Sequence, residues 1–283
     1  MTLPKTYMQM FSTLTPEGVL KMELVEQQMP TPKPNQVIVR VEASPINPSD
    51  LGVMFGMANT SEAISAGAGK DIALTAPVSA QGMRVMKARV GQALPVGNEG
   101  AGTVVAAGDG DVAQSLMGKV VAVMGGGMYG QYRCVDAAMC MPLLPGDTAK
   151  DGASSFVNPL TALSMLETMR MEGHTALVHT AAASNLGQML NRICQADKVE
   201  LVNIVRNKSQ AQMLKDMGAK HAVDSSAENF LAELTDAIHA TGATLAFDAT
   251  GGGALASTIL SAMEAAAART PGAYSIYGSI KHK

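Results

Sequence analysis

Residues 175–206 read TALVHTAAASNLGQMLNRICQADKVELVNIVR, and this stretch decides the fold. Residues 175–180 and 199–205 are short apolar runs of the kind that form buried strands, and residues 186–195 between them have the apolar spacing of a helix. A strand, a helix and a second strand in succession predict a βαβ unit, with parallel strands and a right-handed crossover. We therefore expect a parallel sheet in this part of the chain.

The same alternation continues after residue 206. Helices are expected at residues 210–217, 227–240 and 253–269, and strands at residues 221–223 and 244–247. Residues 273–278, AYSIYG, are either a fifth strand or the approach to one. Strands and helices that alternate at these lengths predict a doubly wound α/β domain.

The first half of the chain is predicted to be mostly β-structure with glycine-rich turns. Residues 36–42, QVIVRVE, alternate apolar and polar side chains, and the apolar runs at residues 102–107 and 119–124 are both followed by glycine-rich turns. Residues 56–92 have only weak periodicity. For that segment we expect a functional loop or a mobile lid rather than a simple connection.

Composition and charge exclude several classes of protein. With 47% hydrophobic and 16% charged residues, the 283-residue chain is too apolar for disorder and long enough for two domains, yet it has no apolar stretch that would span a bilayer. A net charge of -3 gives no field that would attract nucleic acid or anionic lipid. We therefore expect a globular protein with neither of these partners.

The cysteines indicate a reducing compartment. Cys134, Cys140 and Cys194 are odd in number and have no C-x-x-C spacing, which argues against a disulfide framework and against a structural zinc site. Residues 1–14 contain no secretory core of adequate length. A cytoplasmic location is expected.

The first strand-to-helix junction is a candidate nucleotide site. It reads HTAAASNLGQ, with the small residues Ala181, Ala182, Ala183 and Ser184 followed by Gly187 in the first helical turn. Small side chains let a pyrophosphate approach the backbone amides at a helix N-terminus, where the dipole favours negative charge. The early glycines of G-x-G-x-x-G are missing, so a tight turn that only packs helix on sheet is the alternative. Its position at the first βα turn favours nucleotide binding.

The end of the second strand indicates which nucleotide is bound. Arg206, Asn207 and Lys208 stand there, about 20 positions after Gly187, where an NAD site has a carboxylate for the ribose. A guanidinium matches the oxygens of a 2'-phosphate in a way that a carboxylate cannot. A solvated basic turn at the start of a helix would look the same. We predict NADPH rather than NADH.

A second glycine cluster follows the fourth strand. Residues 248–253 read DATGGG and fall at the carboxyl edge of the sheet, where open α/β folds bind ligands. We expect this loop to face the nicotinamide half of the cofactor, with Thr250 and Gly251 in contact with it. A helix entry with Thr250 as its cap is also compatible with the sequence.

The order of segments resembles a known superfamily. The segments are VIVRVEASPINPSDL, PVGNEGAGTVVAAGDG, GKVVAVMGGGMYGQY, VNPLTAL, VHTAAASNLGQ, NIVRNKSQ, MGAKHAVD and FDATGG. Together they resemble the medium-chain dehydrogenase/reductase superfamily, in its zinc-free quinone oxidoreductase and enoyl-thioester reductase branches. The resemblance implies a GroES-like β-rich catalytic domain, residues 1–150, and a Rossmann NADPH-binding domain, residues 151–283, usually in a homodimer. Family members continue beyond the point where this sequence stops, so a fragment or an incomplete site is expected.

The resemblance also implies that no catalytic metal is bound. Zinc-dependent members use a cysteine, a His-Glu pair and a distal cysteine, and the matching positions here are Asn47, Asn98 with Glu99, and roughly Val157. Amide and aliphatic side chains cannot replace thiolate and imidazole as zinc ligands. The four-cysteine structural lobe is missing as well.

The motifs leave more than one activity open. GNEG, HTAAASNLGQ and NIVRN are closest to the enoyl-thioester reductases, but where that branch has a catalytic tyrosine this sequence has Met57 and Ala58. Hydride transfer to a quinone or an activated enone needs less acid assistance, because the negative charge spreads over the conjugated system. We expect that reaction. An enoyl-thioester reductase, a nucleotide-binding paralogue without turnover and a zinc alcohol dehydrogenase are the alternatives.

The resemblance assigns roles to individual residues. NADPH is expected in the cleft between the domains, its pyrophosphate at Ser184, Asn185 and Gly187 and its 2'-phosphate at Arg206. The further candidates for cofactor contact are Ala182, Lys208, Asn158 and Thr161, the last two near the nicotinamide.

Four side chains have two interpretations each. Asn47 is the candidate for a hydrogen bond to the substrate, or it is a buried amide that caps the turn before Pro48. Tyr129 and Tyr132 either reach the cleft or belong to the core. His179 is either a general base or an interior histidine with satisfied hydrogen bonds, and we expect the latter.

Overall fold

The computed structural model describes residues 2–269. The chain divides into two compact units, Met1–Val157 and Asn158–Lys283, which we call unit 1 and unit 2. The division follows Val157, a few residues beyond the boundary at residue 150 that we expect from the sequence. The candidate fifth strand at residues 273–278 lies outside the described residues.

Unit 1 is built mainly from two antiparallel sheets. Its strands are β1 (Thr6–Leu14), β2 (Val19–Gln28), β3 (Gln36–Ala43), β4 (Ile64–Ala66), β5 (Ala73–Pro77), β6 (Ala93–Pro95), β7 (Glu99–Ala107), β8 (Val120–Met124), β9 (Tyr132–Asp136) and β10 (Cys140–Pro142). The strand orders are β4-β5-β2-β1-β6 and β10-β8-β7-β3-β9. The α-helices are α1 (Pro48–Met54), α2 (Ala80–Val85), α3 (Asp111–Ser115) and α4 (Ala149–Gly152), with 3-10 turns at Thr60–Glu62, Gly69–Asp71, Lys87–Arg89 and Ala137–Met139.

The second of these sheets follows from the alternation read in the sequence. β7 pairs with β3 on one side and with β8 on the other. Alternate side chains of the three strands therefore share one face, and Val39, Val104 and Val121 pack there in a single buried cluster. This confirms the three strands predicted for the first half of the chain.

Strands β1 and β2 were not predicted, because polar side chains stand on the buried face of β1. Gln9 is buried and its Nε2 donates to the carbonyl of Gly127 at 3.0 Å. Ser12 is fully buried and its Oγ donates to the carbonyl of Met54 at 2.6 Å. Each polar group is satisfied by a backbone partner distant in sequence, so the strand forms without a clean apolar alternation.

The prediction of one long loop or lid at residues 56–92 is wrong. The segment contains β4, β5 and α2, and β5 pairs antiparallel with β2 from Val19↔Pro77 to Glu23↔Ala73. Short strands rich in alanine, serine and threonine show little periodicity, and they take their conformation from the neighbouring strand. This segment is therefore part of the sheet.

Unit 2 is a parallel sheet with its helices on both faces. Its strands are β11 (Ala176–His179), β12 (Glu200–Val205), β13 (His221–Asp224) and β14 (Leu245–Phe247), in the order β13-β12-β11-β14. Its helices are α5 (Val157–Met171), α6 (Asn185–Ala196), α7 (Lys208–Asp216), α8 (Phe230–Thr241) and α9 (Leu255–Ala268). All neighbouring strands are parallel, which confirms the predicted α/β fold class. Within residues 2–269, no helix is both long and apolar enough to cross a membrane.

Strand β11 lies inside this sheet and is buried on both faces. Leu177 is in register with Leu201 and Leu245, and the three leucines pack under α5 and α6. Val178 points the other way, toward the cluster formed with α8 and α9. Burial on both faces explains why these strands read as continuous apolar runs in the sequence.

We expect Gly102→Ala to destabilise unit 1 by about 3 kcal/mol, because overpacking against backbone cannot be relieved by a rotamer change. A Cβ on Gly102 would lie 1.9 Å from the carbonyl oxygen of Arg40 on the adjacent strand. Urea unfolding measures the loss. Gly52→Ala is the matched control, since a Cβ on Gly52 meets no atom within 4 Å in the described part of the chain. Equal stability of the two variants would contradict the expectation.

Candidate functional site

The first βα turn of unit 2 is shaped by one serine and one glycine. Ser184 is the N-cap of α6, and its Oγ accepts a hydrogen bond from the Gly187 amide at 3.1 Å. A Cβ on Gly187 would lie 2.2 Å from the carbonyl oxygen of Ala182, so only glycine allows the turn to fold this closely onto the helix. Ala181 takes a left-handed conformation with φ of 51°, uncommon for a residue with a side chain. The backbone of this turn is therefore strained at Ala181.

The residues predicted to contact the pyrophosphate differ in how exposed they are. Ser184 and Asn185 are exposed at the start of α6, and the amides of the first helical turn have no intrahelical acceptor. The dipole of the helix adds positive potential there. Ala182 has a fully buried side chain, and its amide donates to the Ile204 carbonyl at 3.2 Å. Any contact of Ala182 with a ligand would therefore not use its amide.

The basic residues stand directly after the neighbouring strand. Arg206 follows β12, the hydrogen-bonded parallel neighbour of β11, so it shares the carboxyl edge of the sheet with the first βα turn. The side chains of Arg206 and Lys208 are exposed. Asn207 between them caps α7, its Oδ1 accepting from the Gln210 amide at 2.9 Å. The turn thus starts α7 and also exposes two cationic side chains, Arg206 and Lys208.

The loop after β14 is tied to the first βα turn. Thr180 Oγ1 donates to Asp248 Oδ1 at 2.8 Å and accepts from the Ala249 amide at 2.7 Å. Thr250 does not cap α9, whose N-cap is Ala254. The hydroxyl of Thr250 donates to Asp248 Oδ1 at 2.6 Å instead, because the glycines that follow separate it from the helix. The capping interpretation of Thr250 is therefore wrong.

The two predicted nicotinamide contacts lie on α5. Asn158 and Thr161 are three positions apart and half-buried in the first turns of the helix. The helix packs on the same face of the sheet as α6, through Ala162 and Leu166. Contact of Asn158 and Thr161 with a cofactor stays a prediction.

In unit 1, Asn47 is buried and bonded to a carboxylate. Only 3% of Asn47 is exposed, and its Nδ2 donates to Glu99 Oε1 at 2.9 Å. Asn47 is also the N-cap of α1, and its amide donates to Asp50 Oδ2 at 2.7 Å. The structure thus supports the capping interpretation of Asn47, and its contact with a substrate stays a prediction.

Glu99 is a fully buried carboxylate that organises this region of unit 1. In addition to the bond from Asn47, its Oε2 accepts from the amides of Phe156 at 2.8 Å and Val157 at 3.0 Å. Hydrogen bonds from amides stabilise a buried negative charge that would otherwise be costly. The amide of Asn98 is held in the same way, by Asp50 Oδ1 at 2.8 Å.

Two of the positions that match zinc ligands of zinc-dependent members, Asn47 and Asn98, carry amides that bond to protein groups. Asn98 Nδ2 donates to the Ser49 hydroxyl at 2.9 Å, and Asn47 is bonded to Glu99. Across residues 2–269 there is no group of three or more His, Cys, Asp and Glu side chains placed to hold a metal ion.

The two tyrosines have different surroundings. The hydroxyl of Tyr129 donates to the Pro45 carbonyl at 2.8 Å, and burial raises the pKa of Tyr129, with Asp50 and Glu99 adding to the effect. Tyr132 packs edge-on against Tyr7, with ring centroids 6.1 Å apart. Tyr129 therefore stays protonated beside Asp50 and Glu99. Tyr132 makes an aromatic contact within unit 1.

The expectation of a satisfied histidine at position 179 is wrong. His179 is fully buried in β11, and neither ring nitrogen has a hydrogen-bond partner among the described residues. Its register partner on β12 is Asn203, whose Oδ1 is also unpartnered there. Burial lowers the pKa of His179 to about 4, although the charge of Asp248 acts in the opposite direction. The ring is thus neutral at physiological pH.

Sequence reasoning missed three groups that shape these regions. Thr180 and Asp248 were not singled out, although each is a polar residue directly after a buried strand, at the edge where ligands bind. Asp50 was missed too, although Asn47 followed three positions later by an acid has the spacing of a capping box.

Replacement of Glu99 by Gln should destabilise the protein by about 3 kcal/mol, because the Gln amide would set an N–H group against donors that now meet a carboxylate. Thermal and urea unfolding measure the change. The control is Glu42→Gln, at an exposed carboxylate bonded to Arg40 and Thr103, with an expected cost below about 1 kcal/mol. A loss at Glu99 no larger than that at Glu42 would show that the buried network is unimportant for stability.

The neutral state of buried His179 predicts a loss of stability in acid. Its folded pKa, about 4, lies below the ordinary 6.5, so its contribution is complete above pH 6.5 and is lost as the pH falls through 4. Between pH 7.5 and 4 the wild type should lose on the order of 3 kcal/mol more than His179→Leu, measured by urea unfolding. His239→Gln, at an exposed histidine, should follow the wild type. Parallel curves for the wild type and His179→Leu would refute the assignment.

Comparisons with known proteins match both halves of the chain. Residues 33–145 match the alcohol dehydrogenase GroES-like domain, and residues 186–282 match the zinc-binding dehydrogenase family. The second match covers none of the positions that correspond to zinc ligands, which lie at or before residue 157. The family description is therefore no evidence of zinc in this chain.

Several individual proteins are similar to this chain. The mitochondrial enoyl-[acyl-carrier-protein] reductase of Xenopus tropicalis is 31% identical over 203 residues, which are 68% of this chain and 49% of that protein. A putative NADPH:quinone reductase of Mesorhizobium loti is 31% identical, with a TM-score of 0.69, over 93% of this chain and 72% of that one. The CurK enoyl reductase, at 19% identity and a TM-score of 0.68 over 92% of this chain and 71% of that one, shows a shared fold.

The chain spans about half the length of the Xenopus reductase that it matches. Its likeness to the Mesorhizobium structure extends over nearly the whole chain, and it agrees with the domain matches in each half. This chain belongs to the medium-chain dehydrogenase/reductase superfamily, in the branch of the quinone oxidoreductases and enoyl reductases.

Proposed function

We propose that this protein is an NADPH-dependent oxidoreductase that transfers hydride to a quinone or an activated enone without a catalytic metal. One observation carries the proposal. The exposed start of α6, at Ser184 and Asn185, and the exposed cation Arg206 stand at the same carboxyl edge of two adjacent parallel strands. An anion-binding helix N-terminus next to a cation is the arrangement that a dinucleotide with a 2'-phosphate requires.

The residues of unit 2 fit such a cofactor. The turn carries no bulky side chain, and Gly187 lets it fold closely onto the start of α6. The exposed charged side chains directly after β12, Arg206 and Lys208, are both cations, and no carboxylate occurs among residues 206–209, where an NAD ribose would need one. The relative from Mesorhizobium loti is described as a putative NADPH:quinone reductase, in agreement with this choice.

Each group of residues has a task in the proposed reaction. Ser184, Asn185 and the first amides of α6 bind the pyrophosphate, and Arg206 with Lys208 binds the 2'-phosphate. The loop with Thr250 and Gly251, together with Asn158 and Thr161, orients the nicotinamide half. When bound, the nicotinamide supplies the hydride.

Asn47 is the proposed contact with the substrate oxygen. Glu99 fixes the plane of the Asn47 amide from within the core, so the side chain is held in one orientation. A positioned amide donor stabilises negative charge that develops on oxygen during hydride transfer. The proposal needs no metal, because the amides of Asn47 and Asn98 stand where zinc-dependent relatives have ligands.

An enoyl-thioester reductase is the second candidate. It is favoured by the 31% identity with the Xenopus enoyl reductase. The side chain that replaces the tyrosine of that branch, Met57, is exposed and cannot donate a proton. We therefore propose a quinone or an enone, rather than a thioester, as the hydride acceptor.

The experiment is a titration with NADPH and with NADH, followed by a quinone, an enone or an enoyl thioester while nicotinamide absorbance is recorded. Oxidation that depends on a quinone or enone supports the proposed function. Oxidation with the thioester alone selects the enoyl reductase. Tight binding without oxidation by any acceptor identifies a nucleotide-binding paralogue, and absence of binding refutes the proposal.

We expect Arg206→Ala to weaken NADPH binding by about 10- to 100-fold and to leave NADH binding within threefold, because a charge-assisted contact to the 2'-phosphate is lost. Fluorescence titration or calorimetry gives both dissociation constants. Arg192→Ala, at an exposed arginine on α6, should leave both unchanged. An equal loss for both nucleotides in Arg206→Ala would contradict a role in recognising the 2'-phosphate.

A further inference from the structure

Thr180 joins the ends of two neighbouring strands. Its side chain is fully buried, its hydroxyl donates to Asp248 at 2.8 Å, and the same oxygen accepts from the Ala249 amide at 2.7 Å. The Thr180 amide donates to the Phe247 carbonyl at 3.1 Å. One residue thus makes three hydrogen bonds to the end of β14, and two of them depend on its hydroxyl.

Asp248 extends this connection into the loop. The same Oδ1 that accepts from Thr180 also accepts from the amide of Thr250 at 3.0 Å and from its hydroxyl at 2.6 Å. These hydrogen bonds lower the pKa of Asp248, so it remains a carboxylate and a strong acceptor. The conformation of residues 248–250 therefore depends on one oxygen atom that Thr180 holds in place.

The rest of the loop has little else to hold it. Gly251, Gly252 and Gly253 have φ values of 61°, 80° and 67°, and a Cβ built on any of them meets no described atom within 4 Å. Glycine has the largest conformational freedom of all residues, and a run of three gives up that freedom only where something fixes its start. In this loop, the described contacts that fix the start are those of Thr180 and Asp248.

We propose that Thr180 is a positioning residue for the cofactor, holding the loop at residues 248–253 against the first βα turn. The inference rests on the proposed function, in which that loop orients the nicotinamide half. Preorganised loops bind more tightly because less conformational freedom is lost on binding. Thr180 bonds to the end of β14, whereas Arg206 follows β12 on the other side of β11, so we expect the contribution of Thr180 to be the same for NADPH and NADH.

The test compares Thr180→Val, which keeps the shape of the side chain and removes its hydroxyl, with Thr180→Ser, which keeps the hydroxyl. Dissociation constants for NADPH and NADH and the hydrogen exchange of the Ala249 amide are measured on the full chain. We expect Thr180→Val to weaken both nucleotides about tenfold by the same factor and to speed exchange at Ala249. Thr180→Ser should stay within threefold of the wild type in every measurement.

A second variant tests the same hydrogen bond in case Thr180→Val fails to fold. Asp248→Ala removes the acceptor from an exposed position without altering the core. It should weaken both nucleotides by a similar factor, and the double variant Thr180→Val/Asp248→Ala should be no weaker than the worse single variant, because the two residues act through one connection.

Three results would overturn the inference. They are unchanged binding in folded Thr180→Val, an equal loss in Thr180→Ser, and additive losses in the double variant. Failure of the proposed function is distinguishable, since it appears as absence of nucleotide binding by the wild type, whereas exchange at Ala249 still reports whether Thr180 holds the loop.

Discussion

The burial of β11 on both faces is the constraint on which the site in unit 2 depends. Leu177 and Val178 fill the two sides of the sheet, so polar chemistry is confined to the place where the strand ends. Thr180 and Ser184 lie beyond that end. The Thr180 hydroxyl bonds to the loop after β14, and the Ser184 hydroxyl caps α6. The parallel neighbours β12 and β14 end at the same edge, which gathers residues that are far apart in the sequence.

Much of unit 2 could be predicted because the sequence patterns of its strands and helices are local. The apolar runs of β11 and β12 and the helical spacing of α6 each lie within a few residues, and their order determines the parallel sheet. The candidate phosphate contacts at Ser184 and Arg206 follow from the same reasoning, since a βα turn and the end of the next strand must share an edge. What each of them binds depends on a ligand, which secondary-structure patterns do not describe.

The parts that could not be predicted depend on contacts between distant residues. Gln9 and Ser12 interrupt the apolar pattern of β1, and their carbonyl partners lie elsewhere in the chain. Likewise, β5 takes its extended form from pairing with β2. His179 is a different case, because an apolar run predicts burial but does not show whether a polar member of the run finds a partner. Two ring nitrogens without described partners contradict the usual rule that buried polar groups are satisfied.

The bond between Asn47 and Glu99 bears on which side chains position 47 of this protein can hold. A cysteine at position 47 would supply one metal ligand, but it would remove one of the three donors that the fully buried Glu99 carboxylate now has, the Asn47 amide. Such a variant would lose stability before it gained any affinity for a metal, because a thiol is a weak donor and one ligand binds zinc poorly. The hydrogen bond thus couples the identity of residue 47 to the stability of unit 1.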